Sequence, residues 1–285
     1  MKRKIAILIA VLMVATLTLA SCSGGGGGGE EKAQITSPAD FAGRSVAVQT
    51  ATTAADAINE MNEEGDGSIE VHEYEKVIQC FDDLLLDRVE AVYVDNVVAS
   101  YYTRDSDEYE VTWTNEEGEP MGICIAKGNT ELAAAVEAGI DTLYFTGEME
   151  ALANKEFGTN LTEGVRDVKE LPEIPTGFAT VTPGKLTVGS EVGYPPMEYT
   201  TDDGQTYIGF DIEFAKKLGE LFGLEVEFVN TAWDGIFAGL ERGQYDIIAS
   251  SVSITPERQE KYILTKPYVS NALCIVTKSA IGSEA

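Results

Sequence analysis

His72 is the only histidine of the chain, and its four cysteines form no CxxC pair. Zinc and cluster sites need several Cys or His ligands at recurring spacings, so the supply of ligands argues against a metal centre. His72 stands in "IEVHEYE", where the alternation reads as a strand edge and a surface role. The same scarcity leaves no Ser-His or Cys-His arrangement for nucleophilic catalysis. Basic side chains are also few, 20 Lys and Arg against 48 Asp and Glu, for a net charge of −28. Such a balance repels phosphate backbones and speaks against a nucleic-acid partner, while favouring solubility. The long apolar run, "IAILIAVLMVATLTLA" at residues 5–20, is too short for a comfortable membrane span.

What that run does match is a leader. Lys2, Arg3 and Lys4 precede it, and the small-residue sequence "LASC" closes it at Cys22. A cysteine directly after Leu-Ala-Ser resembles the lipobox of bacterial lipoproteins, which implies a signal peptide over residues 1–21 and a lipid on Cys22. An ordinary secretory signal with an incidental cysteine is the alternative. Cleavage there removes three basic residues and no acid, leaving 17 basic against 48 acidic side chains, a charge of −31. Residues 22–37 open with "CSGGGGGGEEK", a composition that cannot pack a core and reads as a flexible tether.

The remainder is long enough for two lobes of roughly 100 residues each. From Ser45 the chain reads strand "SVAVQT", helix "TAADAINEMN", strand "SIEVHEY", helix "KVIQCFDDLLL", strand "EAVYVD", helix "NVVASYY". From Lys185 the reading is strand "KLTVGS", helix "DIEFAKKLGELF", strand "LEVEFVN", helix "AWDGIFAGL", strand "YDIIAS" and a last helix opening at "TPER". Strands alternating with helices of 3.6 period predict α/β architecture with parallel sheets. Phe81, Leu84, Glu90 and Asp95 follow one another at intervals of 3, 6 and 5, and Phe237, Leu240, Asp246 and Ser251 repeat those intervals. Two lobes built on one unit would place Asp95 and Ser251 alike, just past a central strand, where ligands of open α/β sheets bind. Between the halves, "LPEIPTGFATVTPGK" carries three prolines and two glycines and reads as a linker.

Several side chains near strand ends can carry chemistry. Thr255 and Pro256 are a good N-cap and first helical residue, which sets Arg258 in the first turn, where the helix dipole disfavours a cation. An anion sharing the site would explain it, since a guanidinium grips a carboxylate through two parallel bonds and Ser251 and Ser253 add hydroxyl donors. Pairing with a neighbouring acid explains it equally well. Asp95 could accept from an ammonium or cap the helix after it. Thr50, Thr52 and Thr53 precede an alanine-rich helix as caps, with ligand contact an additional possibility. Trp233 and Tyr194 lie beyond strands and could be core, and Glu191 after "LTVGS" could be a solvent-exposed acid.

The stretch from "GKLTVGSEVGYPPMEY" to "SSVSITPERQEKYILTKPYV" closely resembles the first lobe of bacterial extracellular solute-binding proteins for polar amino acids. "DFAGRSVAVQTATTAADA" and "DRVEAVYVDNVVASYY" resemble their second lobe, and "PMGICIAKGNTELAAAVEAGIDTLYFTGEMEALANKEFG" their return strand and terminal helices. The resemblance implies a type II, two-lobed periplasmic-binding-protein-like fold with the ligand cleft between lobes. It assigns the ligand carboxylate to Arg258 with Ser251, Ser253 and Thr53, the ammonium to Asp95, side-chain sandwiching to Tyr194 and Trp233, and the polar end to Glu191. Gln49 and Asp211 are second-tier candidates. The implied protein is no enzyme and uses no cofactor: a monomeric receptor outside the cytoplasm, anchored through Cys22, that hands a polar and preferentially basic amino acid to the permease of an ABC importer. A dehydratase on the same fold, with Glu191 as general acid, and a sensor for a membrane signalling protein are the other functions this resemblance allows.

The order of the lobes departs from the family. Residues 38–122 resemble the second lobe, 123–158 the return strand and helices, 159–184 a linker, 185–271 the first lobe, and 272–285 a connector strand and tail. This order implies a circular permutation, or a chain that exchanges lobes with a second copy. The family's connectors lie side by side, which makes a Cys124–Cys274 disulfide one option.

Overall fold

The computed structural model describes residues 33–279. The leader, Cys22, residues 23–32 of the glycine-rich segment and the last six residues lie outside the described residues.

Side-chain periodicity sets the local structure. In the first half the order is β1 (Ser45–Gln49), α1 (Thr53–Glu64), β2 (Glu70–Tyr74), α2 (Val77–Leu85), β3 (Ala91–Asp95), α3 (Asn96–Arg104) and β4 (Tyr109–Thr114). Val77, Cys80, Phe81 and Leu84 share one face of α2 and are buried, each large apolar side chain contributing about 1.5–3 kcal/mol. Then come β5 (Cys124–Ala126), α4 (Thr130–Phe145) and α5 (Glu148–Phe157). The second half runs β6 (Lys185–Ser190), the short hairpin β7 (Tyr199–Thr200) and β8 (Tyr207–Ile208), α6 (Phe210–Phe222), β9 (Glu225–Asn230), α7 (Trp233–Glu241), β10 (Ile247–Ile248), α8 (Pro256–Lys261), β11 (Tyr262–Leu264) and β12 (Leu273–Lys278). Gly223, with φ of 66°, ends α6 in the left-handed conformation that glycine adopts without penalty.

Two five-stranded sheets form, ordered β2-β1-β3-β12-β4 and β9-β6-β10-β5-β11. The two orders correspond strand for strand. In each, three parallel strands are extended by a strand that arrives from elsewhere in the chain and pairs antiparallel: β12 with β3 and β4, β5 with β10 and β11. The sheets are therefore mixed where sequence alternation predicted parallel ones. The arriving strand comes straight across from the other lobe, with no crossover helix to return it in the parallel sense.

The repeated interval pattern marks the same device in both lobes. Glu90 accepts from the Ser45 N–H at 3.2 Å, and Asp246 from the Thr187 N–H at 2.7 Å, so each acid fastens its own strand to the adjacent one. Phe81 and Leu84 pack from α2 in one lobe; Leu240 is buried and Phe237 packs partly buried from α7 in the other. Asp95 closes β3 and Ser251 follows β10 at corresponding places.

Two chain crossings join the lobes, residues 115–123 outward from β4 and residues 265–272 onward to β12. They run side by side: Met121 bridges Ser253 and Val269, and the Glu119 N–H donates to the Asn271 carbonyl at 2.7 Å. Cys124 and Cys274 are both buried free thiols, in different sheets, so the disulfide option is not realised; Cys80, in α2, is a buried free thiol too.

The segment 159–184 is a fastened strap rather than a free linker. Arg166, 4% exposed, donates to Glu137 at 2.9 Å, Asp141 at 2.7 Å and the carbonyls of Lys266 and Pro267. The Ser270 N–H donates to the Leu161 carbonyl, and the Val181 N–H to Asp246. Removing the guanidinium leaves two carboxylates and two carbonyls short of a donor. Arg166→Ala is expected to lower unfolding free energy by about 3 kcal/mol in urea titrations; a loss below about 1 kcal/mol would mean the strap contributes little.

Candidate functional site

The facing strand ends line a small, partly open cavity, with walls from both lobes. Gln49, Thr52, Thr53 and Asp95 come from one lobe; Glu191, Tyr194, Glu198, Trp233, Ser250, Ser251, Ser253 and Arg258 come from the other. All eight residues singled out for ligand contact in the sequence are among them.

Thr255 caps α8, its hydroxyl accepting from the Arg258 N–H at 3.2 Å, and this turn aims the guanidinium inward. Arg258 donates to the Ser253 carbonyl at 3.0 Å, with its guanidinium carbon 5.5 Å from the Trp233 ring centre and 5.2 Å from that of Phe237. Among the described residues no carboxylate comes within ion-pairing distance of it. Pairing with a neighbouring acid is thus not what fixes Arg258; stacking and a carbonyl hold it, and most of its donors are left for another acceptor. Burial is the main influence on its pKa and lowers it.

Ser251 adopts φ of 51°, an uncommon conformation for a residue with a β-carbon, and its N–H is held by the buried Asp211 at 2.9 Å. Its hydroxyl is buried and has no partner among the described residues. Asp211 also accepts from Tyr268 at 2.6 Å and does not line the cavity, so it shapes the Ser251 turn from behind.

Asp95 begins α3 without capping it. Its carboxylate instead accepts from Tyr194 across the cleft and from Asn271 in the second crossing, both at 2.5 Å. Burial, and next the charge of Glu119, push its pKa up to about 7, against the pull of these hydrogen bonds. Thr52 rather than Thr53 caps α1, which frees the Thr53 hydroxyl to donate to Glu119 at 2.6 Å. The Ser253 hydroxyl of the other lobe donates to the same oxygen. Glu119 thus lays a carboxylate between two of the hydroxyls expected to hold one.

Trp233 and Tyr194 are mostly buried, but both face the cavity, and the Trp233 N–H crosses to the Ala51 carbonyl at 2.8 Å. Glu191 is no exposed acid: it is 3% exposed, and it accepts from Gln49 at 2.8 Å and Lys76 at 2.7 Å, both in the opposite lobe. Burial raises its pKa and the Lys76 contacts oppose that rise.

Glu119, Lys76 and Glu198 were not foreseen. Glu198 is buried, accepts from Ser250 at 2.7 Å and has one oxygen without a partner among the described residues. Burial, followed by the nearby charge of Asp211, drives its pKa well above the usual carboxylate value. The only available signal was "PPMEY", an acid immediately before a short strand. Lys76 and Glu119 carried none, since each stands among acids in a loop and meets its partner from far along the chain. Among the described residues no group of His, Cys, Asp and Glu is placed to hold a metal ion, and no helix is long and apolar enough to cross a membrane.

Residues 186–282 match the family described as bacterial extracellular solute-binding proteins, family 3. A probable amino-acid ABC transporter-binding protein of Haemophilus influenzae is 42% identical over 98 residues, 34% of this chain and 38% of that protein. The L-cystine-binding protein TcyJ of Escherichia coli is 38% identical over 101 residues, again 38% of its length, and the ABC transporter arginine-binding protein 1 of the same organism 33% identical over 101 residues, 41% of its length. The chain thus spans well under half the length of these relatives. An ancestral arginine-binding protein solved with arginine aligns with a TM-score of 0.27 at 36% identity, covering 27% of this chain and 34% of that one. The segment that matches this family, residues 186–282, is the one that supplies Glu191, Tyr194, Trp233, Ser251, Ser253 and Arg258 to the cavity.

Proposed function

We propose that the chain is a receptor for a polar amino acid, preferentially a basic one, which closes its two lobes on the ligand and delivers it to an ABC importer. The observation that carries this reading is Arg258, a half-buried guanidinium with no paired carboxylate among the described residues, facing the acid Asp95 of the opposite lobe across one cavity. A zwitterion has the complementary pair of charges. Contacts to both lobes are also what closure requires, because a ligand shifts an open-closed equilibrium only through interactions that differ between the two states. Tyr194 and Trp233 supply flat walls, and Glu191, which already faces an ammonium, suits a cationic side chain. The names of the relatives support the class of ligand: amino acids, among them cystine and arginine.

The remaining parts of the reading rest on sequence. A lipid on Cys22 would hold the receptor at the membrane, outside the cytoplasm, with the glycine-rich segment as tether. The two lobes run in exchanged order, with the family-matching segment second and residues 159–184 joining the halves, as a circular permutation would leave them.

Arg258→Ala is expected to weaken amino-acid binding at least a hundredfold in isothermal titration, in line with the 2–5 kcal/mol lost when a buried charge pair is broken. Wild-type affinity in this variant would refute the carboxylate assignment. Asp95 predicts a pH response. Its raised pKa keeps it protonated, and a poor acceptor for an ammonium, at pH values below about 7. Affinity should therefore be highest above pH 7 and fall as pH drops from 7 towards 5, with proton release on binding in that window. Asp95→Asn should lose both the pH slope and most of the affinity. A thermal-shift panel of the twenty amino acids would identify the ligand, since one present at 100 times its dissociation constant adds about 2.7 kcal/mol. Stabilisation by neutral amino acids alone would remove the basic preference.

A further inference from the structure

Glu191 is the acid through which a cationic ligand side chain would be recognised, yet both of its oxygens are already taken. Oε2 accepts from Gln49 at 2.8 Å and Oε1 from the Lys76 ammonium at 2.7 Å. Lys76 is not a wall of the cavity. It stands just before α2 in the opposite lobe, and its side chain is 37% exposed while that of Glu191 is 4% exposed. To arrive there it passes over Gly193, at φ of 137°, where an added β-carbon would lie 3.8 Å from both its Cδ and its ammonium nitrogen.

We propose that Lys76 is a specificity-determining residue: its ammonium is an internal competitor for Glu191, and it lowers the affinity of the site for amino acids with cationic side chains relative to neutral ones. The inference rests on the receptor reading given above. A neutral ligand side chain can occupy the cavity with the Lys76–Glu191 pair intact. A cationic one must displace an ammonium that reaches Glu191 on a flexible, partly solvated stem, and only the difference between the two pairings is gained. Without Lys76, Glu191 is a buried carboxylate held by Gln49 alone, a state that an incoming cation relieves and a neutral group does not.

The pair also bridges the lobes, and a simple latch predicts something else. Losing a latch loosens the closed form for every ligand by the same factor, whereas losing a competitor changes the ratio between ligands. The test is titration calorimetry of wild type, Lys76→Met and Lys76→Arg with L-arginine and L-glutamine. Lys76→Met is expected to shift the arginine-to-glutamine affinity ratio about tenfold towards arginine, and Lys76→Arg to stay near wild type. An equal change for both amino acids, or none, would overturn the competitor and leave the receptor reading standing. Failure of all three proteins to bind either amino acid would overturn both.

Discussion

Charge removed from water has to be answered by other charge or by hydrogen bonds, and the cleft is organised around that requirement. Asp95, Glu191 and Glu198 are withdrawn from solvent, and Arg258 half withdrawn, where the strand ends of two sheets face each other. The acids are answered unevenly. Asp95 has a phenol and an amide, Glu191 an amide and an ammonium, and Glu198 a single hydroxyl. Arg258 has a carbonyl and two aromatic faces. The partners of Asp95 and Glu191 belong to the other lobe or to a crossing, so for these two acids meeting the requirement and bringing the lobes together are one event.

The uneven answers have a common form. Glu119 supplies a carboxylate to Thr53 and Ser253, and Lys76 supplies an ammonium to Glu191. One charged group is offered at the anionic end of the site and its opposite at the acidic end, both on side chains that reach in from outside the cavity wall. The closed arrangement holds itself together with substitutes for the charges of an amino acid. A ligand has to outdo them, which makes affinity a difference between two sets of contacts rather than a sum over one.

The wall of the site was legible in the sequence because strand ends are legible. "AVYVD", "LTVGSE" and "SITPER" each combine a β-rich run, or a capped helix start, with one chemically distinctive residue at its end, and topology brings such ends together. The alternatives left open were about orientation. Asp95 could have capped α3, and Arg258 could have paired with an acid; only coordinates decide where a side chain points. Lys76 and Glu119 were hidden for a different reason. Their partners lie 115 residues away for Lys76, and 66 and 134 for Glu119, and an acid or lysine in an acid-rich loop has no pattern to mark it. The strap was misjudged through its composition: prolines and glycines mark a lack of helix or strand, but Arg166 fastens the chain all the same. β5 and β12 were read as strands, but their antiparallel pairing was not, because each joins a sheet built by the other half.

The strap also bears on where the molecule can bend. Arg166 grips the carbonyls of Lys266 and Pro267, and Leu161 takes the N–H of Ser270, so the second crossing is splinted along its first half. Beyond Ser270 the next residues are Asn271 and Ala272, after which β12 is locked into its sheet. That length is tied as well, Asn271 through its carbonyl to the Glu119 N–H of the other crossing and Ala272 through its carbonyl to the Asn96 N–H, and the Asn271 side chain holds the carboxylate of Asp95. The crossing and the acid that faces the cleft are thus held as one part: a change in the charge on Asp95 acts directly on a hydrogen bond that the crossing itself makes.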